Sequence, residues 1–401
     1  MDHFIAIFLI LCSVAVFSVL VAGNRWILMP AVLSFGARFF AAIFHRYIYP
    51  LPEGSSDALV FDRVALGWAR EYGCYGFFEH FNPSASYVYS SLMALAYSCI
   101  DYIPFSVQVL NVLLGVFGVI FLMFATKVVW GVREARRVGY ILALFPFLVM
   151  LSSVGLRESF IFSFFSLGIL SFVLYSYGRG MGWLVLSVFA FLFSSLFHGA
   201  MALAIGGVFM GMLMKPLLIP VKTRQQFGFH LVLFLLMLVV FCLAMVYVYF
   251  QVSLHKLGSL EELDVDQISS IVSSRTKGGA AYLTSLQISG VFDFVWQIPL
   301  RIFYFLFSPF PWNISSPAHI LGMFDGVFYI VMSVMCFKYR KVIFQNPVLL
   351  QILVILLLMS LAFSFGTSNF GTAIRHRAKF YLVILVIVAP CLFSGWRRVN
   401  R

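Results

Sequence analysis

Long apolar runs separated by short polar or turn-forming breaks dominate this chain. They fall at 3–22, 27–44, 107–127, 139–155, 159–177, 182–197, 199–214, 228–250, 319–337, 347–365 and 380–394. A helix crossing a bilayer needs about 20 mostly apolar residues. The pattern therefore predicts an all-α polytopic membrane protein with about eleven transmembrane helices (range 10–13). Two more stretches, 84–105 and 292–308, are apolar but interrupted by polar residues. Nothing resembles the short alternating segments of an outer-membrane barrel.

Composition narrows the classes. Hydrophobic residues make up 62% of the 401 positions and charged ones 10%, where a soluble domain carries about 25% charged residues. Mean hydropathy is +0.99. So much apolar surface would aggregate in water, which excludes soluble enzymes, nucleic-acid modules and secreted disulfide scaffolds. Cys12, Cys74, Cys99, Cys242, Cys336 and Cys391 show no metal-site spacing and read as small hydrophobes rather than a disulfide framework. The first run has no Lys or Arg before it, so it lacks the basic start of a signal peptide and is expected to be a retained helix.

The net charge of +12 is largely a topology signal. Short cytoplasmic loops hold excess Lys and Arg. Lys127, Arg133, Arg136 and Arg137 are thus expected inside, as are Lys215, Lys222 and Arg224, then Lys338, Arg340 and Lys341, then Arg397, Arg398 and Arg401. With Arg25 and Arg179 these make 15 basic residues inside against one acidic residue, Glu134. All anchors are met together only if 84–105 and 292–308 do not cross but lie as interfacial or re-entrant helices on the outer side. The N-terminus is then outside and the C-terminus inside. Residues 1–401 read as one integral membrane domain with two long outer loops, 46–105 and 251–318. Loops of that length are usually functional or disordered.

Candidate chemistry collects on the outer side. Arg375, His376, Arg377 and Lys379 break the positive-inside bias. A chance cluster or a headgroup anchor is one reading; the other is a phosphate or diphosphate site, since guanidinium grips such oxygens bidentately. Arg157, beside Glu158 at a helix mouth, fits a further anion ligand, an interface arginine or a simple ion pair. His198 is a structural residue or a group able to take a proton from a hydroxyl. Asp57 is a helix cap or a carboxylate that activates a hydroxyl, and Asp62 follows in the same segment. Arg275, Arg301, Tyr304 and Trp312 could line a saccharide groove, although aromatics also favour the lipid interface. No metal or other cofactor is expected.

With these residues in view, the chain resembles the O-antigen and capsule repeat-unit polymerases (the Wzy type, with their EpsG-like relatives). The resemblance rests on Gly54-Ser-Ser-Asp57-Ala-Leu-Val-Phe61, Gly155-Leu-Arg157-Glu-Ser-Phe160, Leu196-Phe-His198-Gly199, Ser308-Pro-Phe-Pro-Trp312 and Asn369-Phe-Gly-Thr-Ala-Ile-Arg375-His-Arg377. Arg157 and Gly168 also match the RX10G spacing described for such enzymes. The resemblance implies a C-type glycosyltransferase (GT-C) architecture in a bacterial inner membrane, with a periplasmic active site. It implies joining of undecaprenyl-diphosphate-linked oligosaccharides, which serve as donor and acceptor, and a chain-length regulator of the Wzz type as partner. Lipid would be the other partner, with no role for nucleic acid. Arg375, Arg377 and Arg157 would hold the diphosphate, with His198, Asp57 or His376 as general base. Arg275, Arg301, Tyr304, Trp312 and Asp62 would contact the saccharide. The alternatives are a transferase using a polyprenyl-phosphate sugar, a ligase that moves finished chains, and a lipid-linked oligosaccharide flippase. A transporter would set charges deep in several spans, and here only Arg38 and Asp325 qualify.

Overall fold

A computed structural model describes residues 1–54, 57–76, 81–82, 87–218, 280–284, 286, 291–314 and 317–392. The expected span 228–250 and Arg275 lie outside the described residues. Among the described residues all regular structure is helical, apart from one antiparallel bridge between Ala281 and Asn369. The chain divides into two compact units, Met1–His198 with Leu392–Arg401, and Gly199–Cys391.

The first unit contains α1 (Asp2–Gly23), α2 (Leu28–Tyr47), α3 (Asp57–Gly76), α4 (Val88–Cys99), α5 (Pro104–Trp130), α6 (Val132–Leu144), α7 (Pro146–Ser153), α8 (Glu158–Ser176) and α9 (Met181–Phe197). Helix α5 is its hub, packed on α1, α2, α6, α7 and α8. Its 27 residues extend about 40 Å, and the unit's charges separate along that length. At one end the Asp2 carboxylate accepts from Phe105 N at 2.9 Å and Ser106 N at 2.7 Å. A negative group there satisfies free amides and complements the helix dipole. At the other end Lys127 donates to Asn24 Oδ1 at 3.2 Å and lies over Trp26, next in sequence to Arg25 and close to Arg133, Arg136 and Arg137.

Helices α3 and α4 form the body of the first long loop. The twelve residues of α4 cover about 18 Å, too little to cross. Gly73 interrupts the helical path of α3 with φ 64°, a left-handed conformation that glycine adopts without steric cost. A disulfide joins Cys74 to Cys99. This corrects the reading of all six cysteines as isolated hydrophobes. The pair is 25 residues apart, and only the packing of α3 on α4 brings the thiols together.

The second unit contains α10 (Leu203–Leu218), α11 (Val291–Phe307), α12 (Pro317–Lys338), α13 (Arg340–Gln345), α14 (Pro347–Phe365), α15 (Phe370–Phe380) and α16 (Ile384–Val388). Helix α14 packs against α10, α11, α15 and α16. Asn346 and Asn369 cap α14 and α15: their side-chain oxygens accept from Val348 N and Gly371 N at 3.0 and 2.8 Å. Residues 280–282 run over the loop between those helices, with Phe370 N donating to Ala280 O and Tyr282 N to Ser368 O.

Among the described residues, six helices are long and apolar enough to cross a membrane: Asp2–Gly23, Arg25–Tyr47, Pro104–Trp130, Glu158–Ser176, His319–Lys338 and Pro347–Phe365. A seventh is the pair α6 and α7, bent by 59° at Phe145. Of the other expected spans, 182–197 is a 17-residue helix, about 26 Å long. The run 199–214 begins with a 3₁₀ turn before α10, and 380–394 breaks into α16 flanked by 3₁₀ turns. Hydropathy counts apolar residues but does not register breaks in helical geometry.

Candidate functional site

The sequence-predicted residues of the first unit meet at one end of it. Asn111, near the start of α5, donates its amide to Val154 O at 2.7 Å and Leu156 O at 2.9 Å. This pins the turn before α8, and with it Arg157 and Glu158. The Arg157 guanidinium lies 5.4 Å from the Phe61 ring, next in sequence to Asp62. A line of rings continues from Phe61 through Tyr89 and Phe160 to Phe197, which precedes the half-buried His198. Asp62, Arg157 and His198 therefore share the end opposite Lys127. Asp57 is exposed in the first turn of α3, where a carboxylate favours the helix dipole. Gly168, the far half of the RX10G spacing, is a packing position whose carbonyl accepts from Ser187 at 2.8 Å.

Asp62 holds two tyrosines that sequence reasoning missed. Tyr97 donates to Oδ1 at 2.7 Å and Tyr102 to Oδ2 at 2.8 Å. Burial, then the hydrogen bond to Asp62, pushes the Tyr102 phenol up to about 12. Burial and the Asp62 charge push Tyr97 up as well. Both shifts follow because burial, and then a neighbouring carboxylate, disfavours an ionised phenol. Tyr97 and Tyr102 had no sequence signal. Asn111 did, as an amide inside an apolar run.

The second unit gathers the other candidates. Arg301 is buried on α11 and donates to Gln297 Oε1 at 3.0 and 2.8 Å. Its guanidinium also lies 5.6 Å from the Phe365 ring. Tyr304 stacks on Tyr282 at 5.5 Å, and Tyr282 donates to Thr367 O at 2.9 Å. Trp312 is 71% exposed and stacks on Phe310 at 4.8 Å. Arg375 and His376 are half-buried on α15. His376 Nδ1 shares a hydrogen bond with Thr367 Oγ1 at 3.1 Å, and its ring packs on Phe363.

Two features of α15 bear on the expected basic cluster. The basic cluster lies on a regular helix rather than in a loop between spans, because Asn369 caps a helix that begins at Phe370. Arg377, expected among the diphosphate ligands, is enclosed at 0% exposure. Its Nε donates to Asp325 Oδ2 at 2.6 Å, its Nη2 pairs with the same oxygen, and its Nη1 donates to Phe305 O and Leu306 O at 3.1 Å each. Helical periodicity is the cause: Arg375 and Arg377 are two residues apart, about 200° around the helix, so they cannot face the same partner.

Among the described residues of this unit, Arg301, Arg377 and Lys379 are buried cations and Asp325 is a buried carboxylate. Arg301 is held by neutral acceptors alone in the hydrogen bonds given above. The arrangement is a cationic, aromatic-lined end of a helical bundle, opposite Lys338, Arg340 and Lys341 at the far end of α12. Such a region can bind an anion and stack against a sugar ring. No protein-family model matches the chain, and no curated protein matches it either.

Proposed function

We propose that this protein is a multi-pass bacterial inner-membrane glycosyltransferase that polymerises undecaprenyl-diphosphate-linked oligosaccharide units on the periplasmic side. The observation that carries the reading is the cationic and aromatic end of the second unit, where Arg301 is buried on neutral acceptors close to Tyr282, Tyr304 and Phe365. A buried cation of that kind favours an anionic ligand.

In this reading Arg375 and Arg301 stabilise the leaving diphosphate. A hydroxyl of the incoming unit forms a bond to C1 of the donor sugar as the C1–O bond to the diphosphate breaks. The electron pair leaves on the diphosphate, and the hydroxyl proton passes to an imidazole, that of His376. Charge grows on the leaving group in the transition state, so positioned cations lower the barrier there.

Two observations support the outer placement. The Cys74–Cys99 disulfide lies in the first long loop, and disulfides persist in oxidising compartments such as the periplasm. The basic residues around Lys127 gather at the opposite end of α5. The flippase alternative is disfavoured because Arg38, Asp325 and Arg377 are all locked by internal partners and do not line a polar pathway.

The test is a deletion in the host, with surface polysaccharide resolved on a gel and add-back of wild type or Arg375→Ala. Loss of the ladder with a single repeat unit retained, restored by wild type only, is the expected result. Loss of every repeat unit would point to an earlier transferase or a flippase and sink the reading.

A further inference from the structure

The Arg377–Asp325 pair ties together three helices. Asp325 lies eight residues into α12, Arg377 is on α15, and the accepting carbonyls of Phe305 and Leu306 belong to the last turn of α11. Those carbonyls have few donors of their own, because the last four of a helix have no intrahelical partner. Gly326, next to Asp325, lets α12 approach the same turn closely: a Cβ there would collide with Phe307 O. The guanidinium fork thus spans a junction that no apolar side chain could fill without leaving three acceptors unsatisfied.

The residues flanking Arg377 on α15 are the half-buried Arg375 and His376. A rigid helix carries their positions with it, so the orientation of Arg377 sets where they point. We propose that Arg377 is a positioning residue: its ion pair with Asp325 and its two bonds to the α11 terminus fix α15, and thereby Arg375 and His376, without contact to substrate. This inference rests on the reading of that end of the second unit as a diphosphate site. It assigns the two arginines different work, Arg375 on the ligand and Arg377 on the fold.

The test uses the full chain in lipid nanodiscs, with melting temperature as one readout and affinity for a fluorescent farnesyl diphosphate as the other. Arg377→Met is expected to lower both melting temperature and probe binding, and Asp325→Asn, which keeps the guanidinium but loosens its hold on α12, to weaken probe binding as well. Arg377→Lys keeps one charge on Asp325 but cannot also reach both carbonyls. It is expected to melt near wild type while binding the probe about tenfold more weakly, because small displacements of a binding group are costly. Wild-type or tighter binding by Asp325→Asn, with Arg377 released from its partner, would make Arg377 a ligand and overturn the proposal. Wild-type binding by Arg377→Lys would reduce it to a purely structural residue and overturn it equally. Should wild type bind no probe at all, the diphosphate reading falls and the positioning role with it. The melting temperatures alone would then report whether the pair secures the fold.

Discussion

Arg38 and Arg377 are both fully buried, one in each unit, and the fold accommodates them in related but unequal ways. Arg38, on α2, donates to Ala143 O at 3.0 Å, to Leu142 O at 3.2 Å and to Ser34 Oγ at 2.7 Å. Pro146 has no N–H to give Leu142, four residues earlier, so the break between α6 and α7 frees these carbonyls. Arg377 likewise docks on the last carbonyls of a helix, but it adds Asp325. In both cases a guanidinium meets the negative end of a helix dipole. Only in the second is a full negative charge buried with it. Each of these two arginines marks a helix terminus, and the cost of losing it depends on what charge remains.

The largest expected effect follows directly. Arg377→Met strands a buried carboxylate and should cost about 3–5 kcal/mol, read as a fall in melting temperature in detergent or nanodiscs. Most of it should return when Asp325→Leu is added, and a double variant no more stable than the single would break the comparison.

Arg38→Met strands neutral carbonyls only and should cost about 2 kcal/mol. The loss should shrink in a Pro146→Ala background, where residue 146 regains the N–H that Leu142 lacks. An equal loss in both backgrounds would mean that Arg38 does not serve the break.

A third, partly exposed charge sharpens the rule. Asp62 is held by phenols rather than by a cation. Because the folded-state values of Tyr97 and Tyr102 are raised, their contribution to stability is fully present below the ordinary phenol value of about 10. The Tyr102 share is lost as pH rises through about 12, and the Tyr97 share at higher pH still. An ultraviolet titration should show these phenols ionising late in wild type and earlier in Asp62→Asn. Identical titrations would remove Asp62 as a cause.

The smallest effect is expected at Asp2→Asn, which weakens the carboxylate contact with the start of α5. It should cost about 0.5–1 kcal/mol, checked by chemical denaturation and by added salt. A loss that salt leaves unchanged would exclude the dipole contribution.

Much of the site was legible as residue type and little of it as geometry. Arg157, His198 and Asp62 were expected at one end, and they share it because α5 and α8 both start there, with α6 and α7 returning between them, and α9 runs back to it. Arg377 was expected beside Arg375, yet helical rotation turns it inward to Asp325. Tyr97 and Tyr102 are inconspicuous in an aromatic-rich chain, and only the fold aims them at Asp62.

The sequence by itself determined that this chain belongs in a membrane, that its regular structure is helical, and that Arg38 and Asp325 sit deep among apolar residues. These properties follow from summed transfer free energies and local periodicity, which depend on composition and near neighbours. Tertiary structure decided the Cys74–Cys99 bond, the bend at Pro146 with Arg38 across it, and the enclosure of Arg377. The physical reason is that a buried polar group must find a partner, and here that partner comes from a different helix, 25 to 105 residues away in the chain.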